Sequence, residues 1–90
     1  RQMCIRDRNK ANPTSFLLAT VLMLRDMGLE PYARVLEEAV MKVYAEHDPD
    51  VITPDIDGGR GSLSAFTQRV IDHVILLAPQ IEMAKASGKI

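Results

Sequence analysis

The residues best suited to chemistry in this sequence lie between positions 47 and 73, and one group among them is rich in glycine. Gly58-Gly59-Arg60-Gly61-Ser62 stands directly before a predicted helix. Backbone amides at a helix N-terminus bind phosphate, so this segment could cradle a phosphate group. It lacks the Gly-Lys-Ser/Thr ending of a P-loop and the spacing of a dinucleotide fingerprint. A plain turn leading into a capped helix explains the same residues equally well.

Carboxylates and imidazoles in the same region suggest metal binding, but their spacing does not support it. Four aspartates stand at positions 48, 50, 55 and 57. Pro49 and Pro54 interrupt them, and no glycine or glutamate falls where an EF-hand loop requires one. His47 and His73 have no second histidine or cysteine at the spacing of metal ligands. We therefore expect both histidines on the solvated surface.

No catalytic group can be assembled from this sequence alone. No nucleophile has a base at a suitable spacing, and no two carboxylates are placed by helical spacing for acid–base chemistry. Met23 and Met27 fit core packing better than a cofactor pocket. The chain by itself is therefore expected to carry no complete active site.

The composition favours helices and argues against two classes of partner. Of the 90 residues, 47% are hydrophobic but only 4% are aromatic, which favours aliphatic helix packing over a β-sandwich. A net charge of -1 argues against a nucleic-acid partner. No apolar run approaches the ~20 residues that cross a bilayer, so no membrane partner is expected. The single cysteine, Cys4, cannot form an internal disulfide, which favours an interior compartment.

Three helices are predicted to position these residues. The first covers residues 13–27, with Asn12 as its N-cap, Pro13 at the first helical position and Gly28 as a left-handed stop. The second covers residues 31–46, because apolar residues recur there at intervals of three and four. These residues are Tyr32, Val35, Leu36, Ala39, Val40 and Val43.

The third helix starts at Ser62 or Ser64 and runs to about residue 77. One face of this helix is apolar, formed by Phe66, Val70, Val74 and Leu77. Between the second and third helices, residues 51–53 are predicted as a short strand, which Pro54 restricts to a sheet edge. The expected fold of the chain is therefore mostly α, with three helices plus one short edge strand.

Two features indicate that part of the fold lies outside this chain. Residues 16–24 have only one polar side chain, Thr20, and a helix that is apolar on every side must be buried on every side. A strand as short as residues 51–53 needs strands from elsewhere. The chain is therefore expected to be the C-terminal piece of a larger protein.

Three segments are expected along the chain. Met3-Cys4-Ile5-Arg6-Asp7 resembles the translation of a transposase adapter end used in sequencing libraries, so residues 1–9 are either adapter-derived or a disordered N-terminal segment. Residues 10–78 contain the predicted elements. Residues 79–90 form a tail, in which 80–85 could be a frayed helix and 86–90 are expected to be disordered.

Several short motifs occur in an order and spacing that match one enzyme family. They are Ala11-Asn12-Pro13-Thr14, Met23-Leu24-Arg25, Met27-Gly28-Leu29, Thr53-Pro54-Asp55-Ile56, Gly58-Gly59, Gly61-Ser62, Phe66-Thr67 and Val70-Ile71. From Lys10 onward the sequence thus resembles the C-terminal end of the β-decarboxylating dehydrogenases, the isocitrate and 3-isopropylmalate dehydrogenase family. The residues around Asn12 are most similar to the NAD-dependent isocitrate dehydrogenases.

The resemblance implies an α/β parent fold, in which residues 10–78 form the C-terminal part of the large domain. It implies an NAD-dependent oxidation and decarboxylation of a 2-hydroxy acid of the malate type, isocitrate or 3-isopropylmalate, with Mg²⁺ or Mn²⁺ as a Lewis acid. The family's catalytic and metal-binding residues lie upstream, so the chain alone should be inactive. The implied partners are the rest of the parent chain, the substrate and further subunits of a homo- or hetero-oligomer. The implied location is cytoplasmic, or the mitochondrial matrix in a eukaryote.

One site residue follows from the resemblance. In the family, the asparagine of the Ala-Asn-Pro motif contacts the adenine of the cofactor, and that residue is Asn12 here. An amide side chain can donate to one edge atom of adenine and accept from another. The alternative that Asn12 serves only as the N-cap of the first helix stays open. Pro54 stands where NADP-using relatives have a tyrosine, and no basic partner is evident unless Arg60 serves, which favours NAD.

Two other functions stay open at this point. The chain could be a stand-alone helical interaction module that binds a partner through its exposed apolar helix. It could also belong to a non-catalytic regulatory subunit of the same family, because the catalytic positions lie outside it.

Overall fold

The computed structural model describes residues 13–53 and 59–88, and helices account for most of both ranges. In chain order, α1 spans Thr14–Asp26, α2 spans Glu30–Ala45, α3 spans Leu63–Leu77 and α4 spans Pro79–Ala86. Helix α2 is central, because it packs against each of the other three helices. The three predicted helices are confirmed within one or two residues, which is the ordinary uncertainty of helix ends.

The start of α1 differs from the prediction by one position. The Pro13 carbonyl accepts the first helical hydrogen bond, from the Leu17 amide at 2.9 Å, so Pro13 occupies the cap position and Thr14 is the first helical residue. The expected N-cap, Asn12, lies outside the described residues. At the other end Gly28 has φ +80°, as predicted. The Leu29 amide donates to the Leu24 carbonyl at 2.9 Å, which closes the turn into α2.

The core lies between the C-terminal half of α2, the connection that follows it, and α3. Its buried members are Ala39, Val40, Val43, Val51, Ile52, Phe66 and Val70. The side chains packed around them are Leu17, Leu36, Tyr44, Val74 and Leu77. The predicted apolar faces of the second and third helices are therefore the faces that meet.

Helix α1 contributes little to this core and leaves most of its apolar surface exposed. Val21 is its only buried residue, whereas Phe16 is 74% exposed and Leu22 is 66% exposed. Met23 and Met27 are also more than half exposed, so neither packs into the core formed by the described residues, and their expected role as core filler stays a prediction for the larger fold. An apolar surface of this extent on one helix marks a site where other protein packs.

The predicted strand at residues 51–53 does not form. Val51 and Ile52 both donate their amides to the Asp48 carbonyl at 3.0 Å, which winds the backbone into a turn. A strand requires a continuous ladder with a neighbour, and no strand occurs in the ranges 13–53 and 59–88. The connection instead buries Val51, Ile52 and Thr53 against the helices.

The tail continues the helical layer beyond α3. Helix α4 covers the segment predicted as a frayed helix, and Ser87 and Gly88 form the turn that ends it. Residues 89 and 90, which belong to the segment predicted to be disordered, lie outside the described ranges. None of the helices described is both long and apolar enough to cross a membrane.

Candidate functional site

The start of α1, where the sequence places its candidate cofactor residue, is held against the end of α2. The hydroxyls of Thr14 and Tyr44 lie 2.6 Å apart and share a hydrogen bond. The Tyr44 ring in turn meets the Phe66 ring edge to face, with centroids 5.7 Å apart, a geometry that aromatic pairs prefer. Tyr44 therefore connects the first turn of α1 to the core. Asn12 precedes Thr14 by two residues and lies outside the described part of the chain.

The glycine-rich segment before α3 packs closely on the preceding connection. The Gly61 amide donates to the Ile52 carbonyl at 2.7 Å, and the Arg60 amide donates to the Pro49 carbonyl at 2.7 Å. A side chain at Gly59 or Gly61 would collide with backbone atoms of residues 50–53. Ser62 caps α3 by accepting the Ala65 amide at 3.1 Å.

These contacts decide between the two interpretations of the glycine segment for its described residues. The amides of residues 60 and 61 are committed to carbonyls within the chain, so they are not available to a phosphate. The glycines are explained by the close approach of two backbone segments. The turn leading into a capped helix is the interpretation that the geometry favours.

The aspartates of the connection are engaged in local contacts. Asp50 accepts a charged hydrogen bond from Arg60 at 2.6 Å, and Asp48 accepts the Asp50 amide at 3.0 Å. Asp55 and Asp57 lie outside the described residues. No group of three or more possible metal-ligating side chains occurs in residues 13–53 and 59–88, so the described part of the chain offers no metal site.

A cluster of charged groups joins the end of α2 to α3. Glu46 accepts from Arg69 at 2.7 Å through one oxygen and meets the His73 ring at 2.8 Å through the other. Arg69 also reaches Asp48 at 3.4 Å. Partial desolvation opposes ionisation of Glu46, but the hydrogen bonds from Arg69 and His73 outweigh it and hold its pKa below the usual range.

The two histidines differ in their surroundings. His47 is exposed and has φ +53°, in agreement with its predicted surface position. The His73 side chain is only 15% exposed and is bonded to Glu46, so it lies at the surface but is paired rather than freely solvated. No local signal could have indicated this pair, because 27 residues separate the two partners.

A second cluster fixes the turn between α1 and α2. Arg25 donates to Glu30 and to Glu37, both at 2.7 Å. Arg34 also approaches Glu30, at 3.6 Å. The hydrogen bond from Arg25 is the main reason that the pKa of Glu30 lies below its usual range. These charged side chains pair with each other, and their role is structural: they hold the end of α1 against the start of α2.

Comparison with known proteins identifies the family of this chain. The family model of isocitrate/isopropylmalate dehydrogenase matches residues 4–74, which include α1, α2 and nearly all of α3. The chain therefore belongs to the isocitrate/isopropylmalate dehydrogenase family. Helix α4 lies beyond the matched range.

Several curated relatives are identical to this chain at about two fifths of the aligned residues. A regulatory chain of the mitochondrial NAD isocitrate dehydrogenase of Dictyostelium discoideum is 44% identical over 70 residues, which is 78% of this chain and 18% of that protein. Subunit 2 of the mitochondrial NAD isocitrate dehydrogenase of Kluyveromyces lactis is also 44% identical over 70 residues, with the same coverage. The human mitochondrial subunit gamma is 40% identical over 70 residues, 78% of this chain and 17% of that protein.

The chain thus spans less than a fifth of the length of these relatives. No solved structure gives a significant match to it.

Proposed function

We propose that this chain is the C-terminal segment of an NAD-dependent, metal-assisted oxidoreductase that oxidises and decarboxylates a 2-hydroxy acid of the malate type, isocitrate or 3-isopropylmalate. The family membership carries this proposal, and the names of the similar subunits favour isocitrate and NAD. The segment is proposed to be inactive alone, because the resemblance places the family's catalytic and metal-binding residues upstream of it. Its task is to complete the fold and one wall of the adenine site.

The exposed face of α1 supports the structural part of this proposal. Phe16, Leu22 and Met27 are each more than 60% exposed, and a protein that ended here would leave them in water at a cost in free energy. The relatives are more than five times as long as the matched segment, so a family member has ample chain to cover this face. In the proposed parent, α1 is an interior helix of an α/β domain.

Asn12 is proposed to bind the adenine of NAD. The observation that favours a binding role over a capping role is that Pro13 occupies the cap position of α1. The bond between Thr14 and Tyr44 fixes the first turn of α1, which follows Asn12 in the sequence, to the core. NAD itself supplies the acceptor for the hydride, and the residues of this chain would only bind and orient its adenine end.

The metal is expected to be held elsewhere in the parent chain. The described residues hold no group of three possible metal ligands, so they do not fit a Mg²⁺ or Mn²⁺ site and no step is assigned to such an ion here. The subunit names of the relatives support an oligomeric assembly. The mitochondrial location in those names supports the mitochondrial matrix as the site of action.

A regulatory role is the second candidate, since one of the similar proteins is named a regulatory subunit. The two candidates differ in what the complete protein does with its ligands. A catalytic subunit turns over isocitrate in the presence of NAD and Mg²⁺. A regulatory subunit shows no turnover alone but changes the activity of a catalytic subunit added to it.

Substitution of Asn12 in the complete protein tests the adenine role. Asn12→Asp keeps the shape but replaces the amide donor with a carboxylate, and loss of one or two hydrogen bonds should raise the KM for NAD by about ten-fold. The KM for the 2-hydroxy acid and the Tm should stay unchanged. Asp26→Asn, at the far end of the same helix, is the control and should leave all three values unchanged. An unchanged KM for NAD in Asn12→Asp would overturn the assignment.

A further inference from the structure

The tail helix α4 is attached to α3 in an unusual way. A single residue, Ala78, separates them, and its backbone is itself helical with φ -54° and ψ -34°. Pro79 follows at the first position of α4, where proline removes the amide that would continue the hydrogen bonding of α3. The Ile81 amide donates instead to the Ala78 carbonyl at 2.9 Å. The junction is therefore a single helical residue followed by a proline, at which the helical hydrogen bonding is interrupted.

Helix α4 is held against α2 by few contacts. It has no buried residue, and Met83 is 70% exposed. The Lys85 ammonium lies 6.0 Å from the centre of the Tyr32 ring on α2. Its interaction with Tyr32 raises the pKa of Lys85, so the lysine stays charged in this position. A helix with so little buried apolar surface belongs to the part of a protein that opens most easily.

The packing between α4 and the start of α2 is also incomplete. A cleft of about 480 Å³ lies between them. It is lined by Glu30, Pro31, Arg34, Gln80, Met83, Ala84 and Ser87. Closely packed helices leave no gap of this size. One wall of the cleft is Glu30, the same carboxylate that accepts from Arg25 at the end of α1.

We propose that α4 is a hinged strap that closes over the first turn of α2 and swings away about Ala78–Pro79 while α2 and α3 stay packed. In the closed position Lys85 rests against Tyr32 and α4 forms one side of the cleft. In the open position the cleft loses that side, and Pro31, which is buried in the closed position, becomes exposed together with more of Glu30, whose side chain is already 40% exposed. The strap can thereby alter the access of solvent to the turn that joins α1 to α2.

This device is independent of the proposed enzymatic role. Helix α4 lies beyond the residues that match the family, and its hinge and contacts are within the described part of the chain. The strap proposal can therefore fail its test while the dehydrogenase assignment stands. The dehydrogenase assignment can likewise fail while the strap proposal stands.

Hydrogen exchange measured by mass spectrometry on the complete protein that carries this segment tests the strap. Amides in residues 81–86 should exchange at least about ten-fold faster than those in the buried middle of α2, while α3 keeps its protection. Lys85→Gln removes the contact with Tyr32 and the exposed 3.9 Å ion pair with Glu82 within α4. It should speed exchange in α4 by about two- to five-fold, the range expected for an exposed cation–π contact, since the exposed ion pair adds little. Ala84→Leu adds apolar volume to the cleft and should slow exchange in α4.

A lysine on α2 provides the matched control. Lys42→Gln removes a lysine charge from an exposed position of α2 that does not line the cleft, so it should leave exchange in α4 unchanged. Equal protection of α4 and the middle of α2 in the unmodified protein would overturn the proposal. Equal effects of Lys85→Gln and Lys42→Gln, or loss of α3 protection together with α4, would overturn it as well.

Discussion

Phe16 on α1 provides a quantitative test of whether this chain is the interior part of a larger fold. The side chain is 74% exposed in the segment, so its burial contributes almost no free energy to the folding of the segment by itself. An aromatic side chain buries roughly 150–250 Å² in a core. Covering the exposed three quarters would remove about 150 Å² from water, which at about 25 cal/mol per Å² stabilises the fold by about 4 kcal/mol.

Phe16→Ala should therefore lower the free energy of unfolding of the complete protein by about 4 kcal/mol. Urea denaturation followed by far-ultraviolet circular dichroism measures this change. Phe66→Ala serves as the positive control, because Phe66 is fully buried within the segment itself and such a truncation costs about 3–5 kcal/mol. Asp26→Ala, at an exposed polar position on the same helix, is the negative control.

Equal free energies of unfolding for Phe16→Ala and Asp26→Ala in the complete protein would refute this expectation. That result would mean that α1 faces water in the parent as well. The apolar face of α1 would then have to serve another purpose, and the hypothesis of a helical interaction module would gain support.

Three further predictions concern contacts within the segment, and each is measured in the complete protein that carries it. Tyr44→Phe removes the hydrogen bond to Thr14 and should cost about 1 kcal/mol in a denaturation experiment. Gly61→Ala places a side chain against the backbone of Val51 and should lower the Tm, because neither backbone segment can move without breaking the hydrogen bond between them. The lowered pKa of Glu46 contributes stability that is present above the ordinary glutamate pKa and is lost as pH falls through the lowered value, so Glu46→Gln should flatten the acid side of the stability–pH curve.

Each of these has a control on the same chain. Gly88→Ala strains a left-handed residue, φ +75°, but its side chain meets no atom within 4 Å, so it should lower the Tm less than Gly61→Ala, which adds a collision with backbone. Tyr32→Phe is the control for Tyr44→Phe. It removes a tyrosine hydroxyl that takes no part in the Thr14–Tyr44 bond and should leave the start of α1 unaffected. Asp50→Asn alters an exposed ion pair, where little stability is expected, and should not change the acid side of the curve. Equal effects in control and test variants would contradict the assigned contacts.

The helices could be predicted closely from the sequence because their ends are set by local chemistry. Gly28 stops α1 by adopting a left-handed backbone, Ser62 caps α3, and the spacing of apolar residues defines the buried face of α2. Each of these signals acts within a few residues. Local signals of this kind do not depend on the rest of the parent fold.

The failures have a different physical origin. Residues 51–53 have the composition of a strand, but a strand exists only with a neighbour, and the turn at Asp48 forms instead. His73 is paired with Glu46 rather than freely solvated, and the sequence could not show this because Glu46 is distant in sequence. Met23 and Met27 are apolar residues that the described part of the chain does not cover. The assignment of Asn12 depends on a family resemblance, and the described residues do not test it.

The central claim is that this segment needs the upstream part of a family protein to bury its apolar surface. The measurement that tests it most directly is the binding of the dye ANS, together with thermal unfolding, for the 90-residue chain alone and for the complete protein that carries it. We predict strong dye binding and no cooperative melting for the chain alone, with dye binding lost and cooperative melting present in the complete protein. A single cooperative transition without dye binding for the chain alone would contradict the claim.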